Sequence, residues 1–139
     1  ASRRGIKNVR FLGQVSDQEK VALIKSCTAM VLPSHLRSEA FGISLLEGTM
    51  YGKPLISTEI GTGTSYVNEH LKTGIVVPSG DARMLSEAME YLVRHPQAVE
   101  EMGAAARERY QRLFTGKQMG EAYYSLYQEI ADIRRVGHG

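Results

Sequence analysis

An alternation in the sequence constrains the fold most. Short apolar runs, stopped by glycine or proline, take turns with stretches whose apolar residues recur at helical spacing. Val9-Arg10-Phe11-Leu12 ends at Gly13, Ala29-Met30-Val31-Leu32 at Pro33, and Gly74-Ile75-Val76-Val77 at Pro78, while Pro54-Leu55-Ile56-Ser57 runs toward a glycine-threonine turn. Each reads as a strand. The second, continuous in apolar side chains, suits a strand covered on both faces. Between these runs, Ser16-Asp17-Gln18-Glu19 is a capping box that opens a helix with Val21, Leu23 and Ile24 inward, stopping near Cys27. A second helix is expected over about Gly42 to Tyr51, with Leu45, Leu46 and Met50 on one side, closed by Gly52-Lys53-Pro54. A short helix is expected near Tyr66 to His70. From Asp81 onward the stripes Leu85/Ala88/Met89/Leu92, Val99/Met102/Ala106/Leu113 and Met119/Ala122/Tyr123/Leu126/Tyr127/Ile130 predict helices throughout. Strands alternating with helices predict an α/β domain: a Rossmann-like parallel sheet with flanking helices and right-handed crossovers, followed by a helical C-terminal region. The strand and helix part is expected over about 8–80 and the helical part over about 81–135, in one domain of 1–139.

Composition removes other classes. With 139 residues, 42% hydrophobic, and 17 basic against 15 acidic side chains, the chain suits one globular domain and carries no charge that demands nucleic acid. No apolar run approaches the roughly 20 residues a bilayer requires, and Ala1-Ser2-Arg3-Arg4-Gly5 has no apolar region of a signal peptide. The single Cys27 pairs with nothing in the chain and reads as a small buried hydrophobe in a reducing cytoplasm. The sequence starts without Met at the approach to a strand, so a longer parent chain is expected.

In open parallel sheets, ligands bind beyond the carboxyl ends of the strands. Four loops are then expected to share one edge: Gly13 to Asp17, Pro33 to Phe41, Thr58 to Thr64 and Pro78 to Asp81. The second is the informative one. Gly42 opens a helix at this edge, so the backbone N–H groups of Gly42, Ile43 and Ser44 are expected to face the cleft at the positive end of the helix dipole, a place for phosphate. Glu39 stands just before that helix and Glu47 five residues into it. Carboxylates beside a phosphate do not attract it, but they accept hydrogen bonds from hydroxyls, of a sugar on one side and a ribose on the other. His35 reads as a loop histidine. His70, His95 and His138 read as surface residues, and Arg107, Arg109, Arg112, Arg134 and Arg135 as solvated helix faces. Gly61-Thr62-Gly63 lacks the third glycine of a dinucleotide fingerprint, so it reads as a turn and argues against a nicotinamide-dependent oxidoreductase. With no Cys/His ligand set and no Asp-x-Asp pair, no metal and no other cofactor are expected.

Glu39-x7-Glu47, in the form Ser-Glu-Ala-Phe-Gly-Ile-Ser-Leu-Leu-Glu, resembles the signature of retaining glycosyltransferases of family 4 (glycosyltransferases group 1). The segments Val9 to Val15, Val31 to Ser34, Gly52 to Ile56 and Gly74 to Pro78 fall in the order that family shows, and the similarity spans roughly 8–114. The resemblance implies the C-terminal, donor-binding half of a GT-B fold, here partial. Two strand-helix units carrying the family's Arg and Lys for the diphosphate would precede Val9 and lie mid-sheet. Arg37 and Lys53 are poor substitutes by position. It implies a catalytic role for Glu39 at the transferred sugar. Phe41, Gly42, Ile43 and Ser44 would hold sugar and diphosphate, and Glu47 the ribose. Gly13, Gln14, Val15, Asp17 and Lys20 would form the base pocket. Asp17 matches an acid that reads guanine in related mannosyltransferases, and Thr58 to Ser65 also looks like those enzymes. A GDP-mannose donor is therefore favoured, with a UDP-sugar as the other candidate. The acceptor would be a saccharide or lipid-linked saccharide in polysaccharide biosynthesis, at the cytoplasmic face of the inner membrane where the acceptor is lipid-linked, and an N-terminal domain of the parent chain would hold it. The competing expectation is a nucleotide-binding or assembly module without chemistry.

Overall fold

The structure, a computed structural model, describes residues 6–136, the side chains of 134–136 excepted. Arg134, Arg135 and His138, expected at the surface, therefore lie outside the described side chains. Three strands, β1 (Met30–Leu32), β2 (Leu55–Glu59) and β3 (Gly74–Pro78), form a sheet in the order β1-β2-β3. Both pairings are parallel, with Val31 opposite Ile56 and Ile56 opposite Ile75. Around it lie α1 (Asp17–Ser26), α2 (Ile43–Met50), α3 (Thr64–Val67), α4 (Ala82–Arg94), α5 (Pro96–Leu113) and α6 (Gly116–Val136). The α/β expectation with a helical C-terminal region holds.

The middle strand shows why the sheet is buried on both sides. Leu55 sits with Leu45 and Val67 on one face, joined by Met30, Leu32, Leu46 and Phe114. Its neighbour Ile56 sits with Ile75, Val77, Ala88, Leu92 and Met102 on the other. Successive side chains of a strand point to opposite faces, so one strand binds two helical layers. Close approach fixes the fit of α2 and α5: a Cβ on Gly48 would lie 2.7 Å from Met30 Cγ, and one on Gly103 would overlap the carbonyl of Gly52.

Several local expectations are corrected. Val9 to Leu12 forms no strand, and Phe11 is 83% exposed. A strand needs a partner for its backbone groups, and among the described residues none lies beside this segment. Val31 is exposed rather than covered, and lines a hollow left open beside Met89, Leu92 and Val93 of α4. Leu23 and Met50 are exposed, so the apolar faces of α1 and α2 are narrower than their sequences suggest. The short third helix covers Thr64–Val67 rather than Tyr66 to His70. The α6 stripe is exposed along its described length. Arg109 is not on a solvated face but buried. Cys27 is half-buried, its thiol donating to Ile24 O at 3.1 Å.

The capping box of α1 forms as expected. Ser16 Oγ accepts from Glu19 N–H at 3.3 Å, and Ser16 N–H donates to Glu19 Oε2 at 2.8 Å. That backbone amide, with the Ser16 hydroxyl, holds the Glu19 carboxyl below its ordinary range. Replacing Ser16 with Ala is expected to cost about 1 kcal/mol of unfolding free energy at neutral pH. A carboxyl whose folded pKa is depressed stabilises above its unfolded value and loses that contribution as pH falls through the folded one. The gap between wild type and variant in urea denaturation should therefore narrow in acid.

Candidate functional site

The carboxyl ends of all three strands meet at one edge. A hollow of about 260 Å³ is lined by Pro33 and His35 after β1, Thr58 of β2, and Gly80, Asp81 and Leu85 after β3. A second, of about 240 Å³, is lined by Ser34, His35, Leu36, Ser38 and Glu39. His35 belongs to both, so three of the four expected loops do share this edge. The loop from Gly13 to Asp17 follows no strand and is not among the residues lining either hollow.

The loop between β1 and α2 is pinned at three points, once to the end of β2 and twice to the loop between β2 and α3. The Thr58 hydroxyl donates to Ser34 O, Arg37 Nη2 donates to Gly61 O at 3.2 Å, and Gly63 N–H donates to Ala40 O at 2.8 Å. Arg37 is thereby engaged, and Lys53 also, since its ammonium donates to Lys25 O at 2.7 Å and Cys27 O at 2.8 Å.

The two acids of the motif flank the start of helix α2, Glu39 in the loop before it and Glu47 on its second turn. Glu39 Oε1 accepts from Gly42 N–H at 3.1 Å, so this carboxylate caps the helix. The Gly42 amide, expected to be open to the cleft, is covered by Glu39. Gly42 has φ 78°, a left-handed backbone that favours glycine, and a Cβ there would lie 3.0 Å from Leu45 Cδ1. Its neighbours Phe41 and Ile43 are exposed, and Ser44 half-buried. On the second turn, Glu47 Oε1 accepts from Lys20 Nζ at 2.7 Å, and Lys20 Nζ lies 3.4 Å from Asp17 Oδ1. The Glu47 carboxylate, with a smaller part from Asp17, holds the Lys20 ammonium above its ordinary value. The ammonium is therefore charged at neutral pH, and its share of the bond is lost as alkali removes that proton.

The expected base-pocket residues divide. Asp17 and Lys20 join Glu47. Gly13 and Gln14 are exposed, and Val15 faces an apolar hollow with Arg10, Leu12, Ala22 and Leu23. Sequence reasoning missed three residues beside the edge: Tyr66, Arg109 and Phe114, which pack together behind Phe41. A signal existed for Arg109, which continues the spacing of Met102 and Ala106 on the buried stripe of α5. A larger hollow, about 590 Å³, lies beside β3 and is lined by Glu59, Ser65, Asn68, His70, Val76 and Pro78. Its acid is already occupied: Glu59 accepts from Ser65 Oγ at 2.6 Å and from Gly61 N–H at 2.8 Å, which holds its carboxyl below the usual range. Among the described residues no cluster of three or more His, Cys, Asp or Glu is arranged for a metal. No helix there is long and apolar enough to cross a membrane.

Known proteins resemble this chain in sequence and in fold. The family described as "Glycosyl transferases group 1" matches residues 1–109. The D-rhamnosyltransferase WbpZ of Pseudomonas aeruginosa is 61% identical over 115 residues, which are 83% of this chain and 30% of that protein. The O-antigen chain mannosyltransferase C of Escherichia coli is 44% identical over 95% of this chain and 36% of its own length. Among solved structures, the sucrose-phosphate synthase of Thermosynechococcus elongatus superposes with a TM-score of 0.73 at 32% identity, over 87% of this chain and 31% of that one. The chain thus spans about a third of the length of the curated relatives it matches.

Proposed function

The chain belongs to the group 1 glycosyl transferases, and from that premise we propose that it supplies the donor-binding part of a retaining hexosyltransferase. The observation that carries the reading is the layout of α2, with one acid capping its amino end and another on its second turn beside Lys20 and Asp17. A nucleoside diphosphate sugar fits along this line. The diphosphate approaches the amino end of α2, where the dipole favours anions. The transferred sugar lies toward Glu39 and the hollow it shares with His35, and the ribose toward Glu47. Asp17 accepts from the N1–H and amino group of guanine, which favours GDP over UDP. D-rhamnose is 6-deoxymannose, so the names of both bacterial relatives support a sugar of manno configuration.

In the reaction, the bond from the anomeric carbon to the diphosphate breaks and its electrons leave with the diphosphate. The amino end of α2 stabilises that growing negative charge. Glu39 supports the positive charge that develops on the sugar ring and holds its hydroxyls. The acceptor hydroxyl attacks from the face the diphosphate leaves, passing its proton to a departing phosphate oxygen, and the anomeric configuration is kept. The acceptor is a saccharide or lipid-linked saccharide of polysaccharide synthesis, held by parts of the protein beyond this chain. A lipid-linked acceptor would place the enzyme at the cytoplasmic face of the inner membrane. Glu39 takes the catalytic role and no metal takes part.

Isothermal titration of the chain with GDP, UDP and ADP tests the reading. GDP is expected to bind most tightly, and Lys20→Met and Glu47→Gln are each expected to weaken it about tenfold. Equal, undetectable binding of all three nucleotides would overturn it.

A further inference from the structure

Arg109 is the charged residue at the centre of the packing behind the site. It is 7% exposed, and a charge so placed costs free energy unless it is paired and hydrogen-bonded. Its Nε and Nη2 donate to Tyr66 O at 3.2 and 2.5 Å, and its Nη1 lies 3.0 Å from Glu69 Oε1. The guanidinium also stands over two rings, 5.1 Å from the Tyr66 centroid and 5.8 Å from that of Phe114.

From there the contacts run to the site without a gap. Phe114 meets Tyr66 edge-on at 5.7 Å and Phe41 edge-on at 6.1 Å. Phe41 lies against Gly63, where a Cβ would sit 2.6 Å from Phe41 Cδ2 and 2.9 Å from Ala40 O. Gly63 in turn donates its amide to Ala40 O. The Ala40 carbonyl and the Phe41 ring thus both lie against Gly63, just before the Glu39-bound amide of Gly42, and Arg109 reaches that ring through Phe114. A simple core position would take an aliphatic side chain at this point of the α5 stripe. A planar guanidinium with five donors both grips a carbonyl and stacks on rings.

We propose that Arg109 is a positioning residue for the donor loop: through Tyr66 and Phe114 it fixes the Phe41 ring and hence the Ala40–Gly63 bond that sets the entrance to α2. This deepens the donor-binding reading and rests on it. Arg109 does not touch donor or acceptor. It acts through the loop that does.

Amide hydrogen exchange followed by NMR tests the link without a ligand. Arg109→Lys keeps the charge but loses the fork and the flat face, and Phe114→Leu removes the ring. Both are expected to speed exchange at Gly63 at least tenfold, while the amide of Met30, which donates to Pro54 O in the core, keeps its protection. Glu69→Gln, which leaves the Tyr66 contacts of Arg109 in place, is expected to leave Gly63 unchanged. GDP affinity should fall about tenfold in the first two variants and stay within twofold in the third. Equal acceleration at Gly63 and Met30 would mean a general loss of packing and overturn the proposal, as would an unchanged Gly63 in both Arg109→Lys and Phe114→Leu. A selective change at Gly63 in a chain whose wild type binds neither GDP nor UDP would support the link from Arg109 to the loop and remove the donor-binding reading instead.

Discussion

Gly74→Ala is expected to destabilise the chain by about 3 kcal/mol, the upper part of the range for overpacking. Gly74 opens β3 directly opposite Leu55 of β2. A Cβ there would overlap the Leu55 carbonyl oxygen and would stand 2.6 Å from the Leu55 nitrogen and 2.7 Å from its carbonyl carbon. All three atoms are backbone, so no side chain can swing aside. The strands would have to part where the sheet is pinned most densely. Leu55 N–H donates to Thr73 O at 3.1 Å, Leu71 N–H donates to Gly74 O at 2.7 Å, and His70 forms an isolated bridge to Gly74. Leu55 is also fully buried, so the displacement would reach the core under α2 and α3. The glycine is required for close approach and not for a left-handed backbone, and so Ser at this position should fail as Ala does. Urea denaturation monitored by circular dichroism reads the effect, and a wild-type midpoint in Gly74→Ala would show that the two strands are further apart than described.

How much of this was legible from the sequence follows the range of each interaction. The α1 capping box is local in the chain, three residues from end to end, and it forms as read. The runs that become β1 and β3 carry their own stop signals in Pro33 and Pro78, the run that becomes β2 heads into the turn at Gly61, and all three carry apolar residues for the core. The run Val9 to Leu12 carries the same signals and forms no strand, because pairing needs a neighbour and no periodicity within a run reports one. The Lys20–Glu47 bond spans 27 positions and has no sequence signature. The cap from Glu39 to Gly42 does have one. An acid three residues before the helix-opening glycine is within reach of its amide, and the same amide is the one a phosphate would use. Arg109 has the residue type of a solvated face but the position of the buried stripe of α5, and its burial follows the position.

That cap makes Glu39→Gln the more discriminating change at the site. Gln has nearly the same shape and keeps an oxygen that can accept from Gly42 N–H, so folding stability should stay within about 0.5 kcal/mol. What it loses is the charge. A carboxylate beside the amino end of α2 opposes an incoming diphosphate, since like charges repel even in water. GDP should therefore bind the Gln variant as tightly as the wild type or more tightly. A neutral amide, however, supports the developing positive charge on a sugar ring poorly. In a full-length transferase carrying this chain as its matching third, transfer should fall about 100-fold, the scale on which loss of one preorganised group acts. Glu39→Ala removes cap and charge together and is expected to lose about 1 kcal/mol of stability besides. The pair separates two jobs of one side chain. Lost turnover with intact GDP affinity in Glu39→Gln assigns the charge to the chemical step. Normal turnover in that variant would leave Glu39 as the cap of α2 and nothing more.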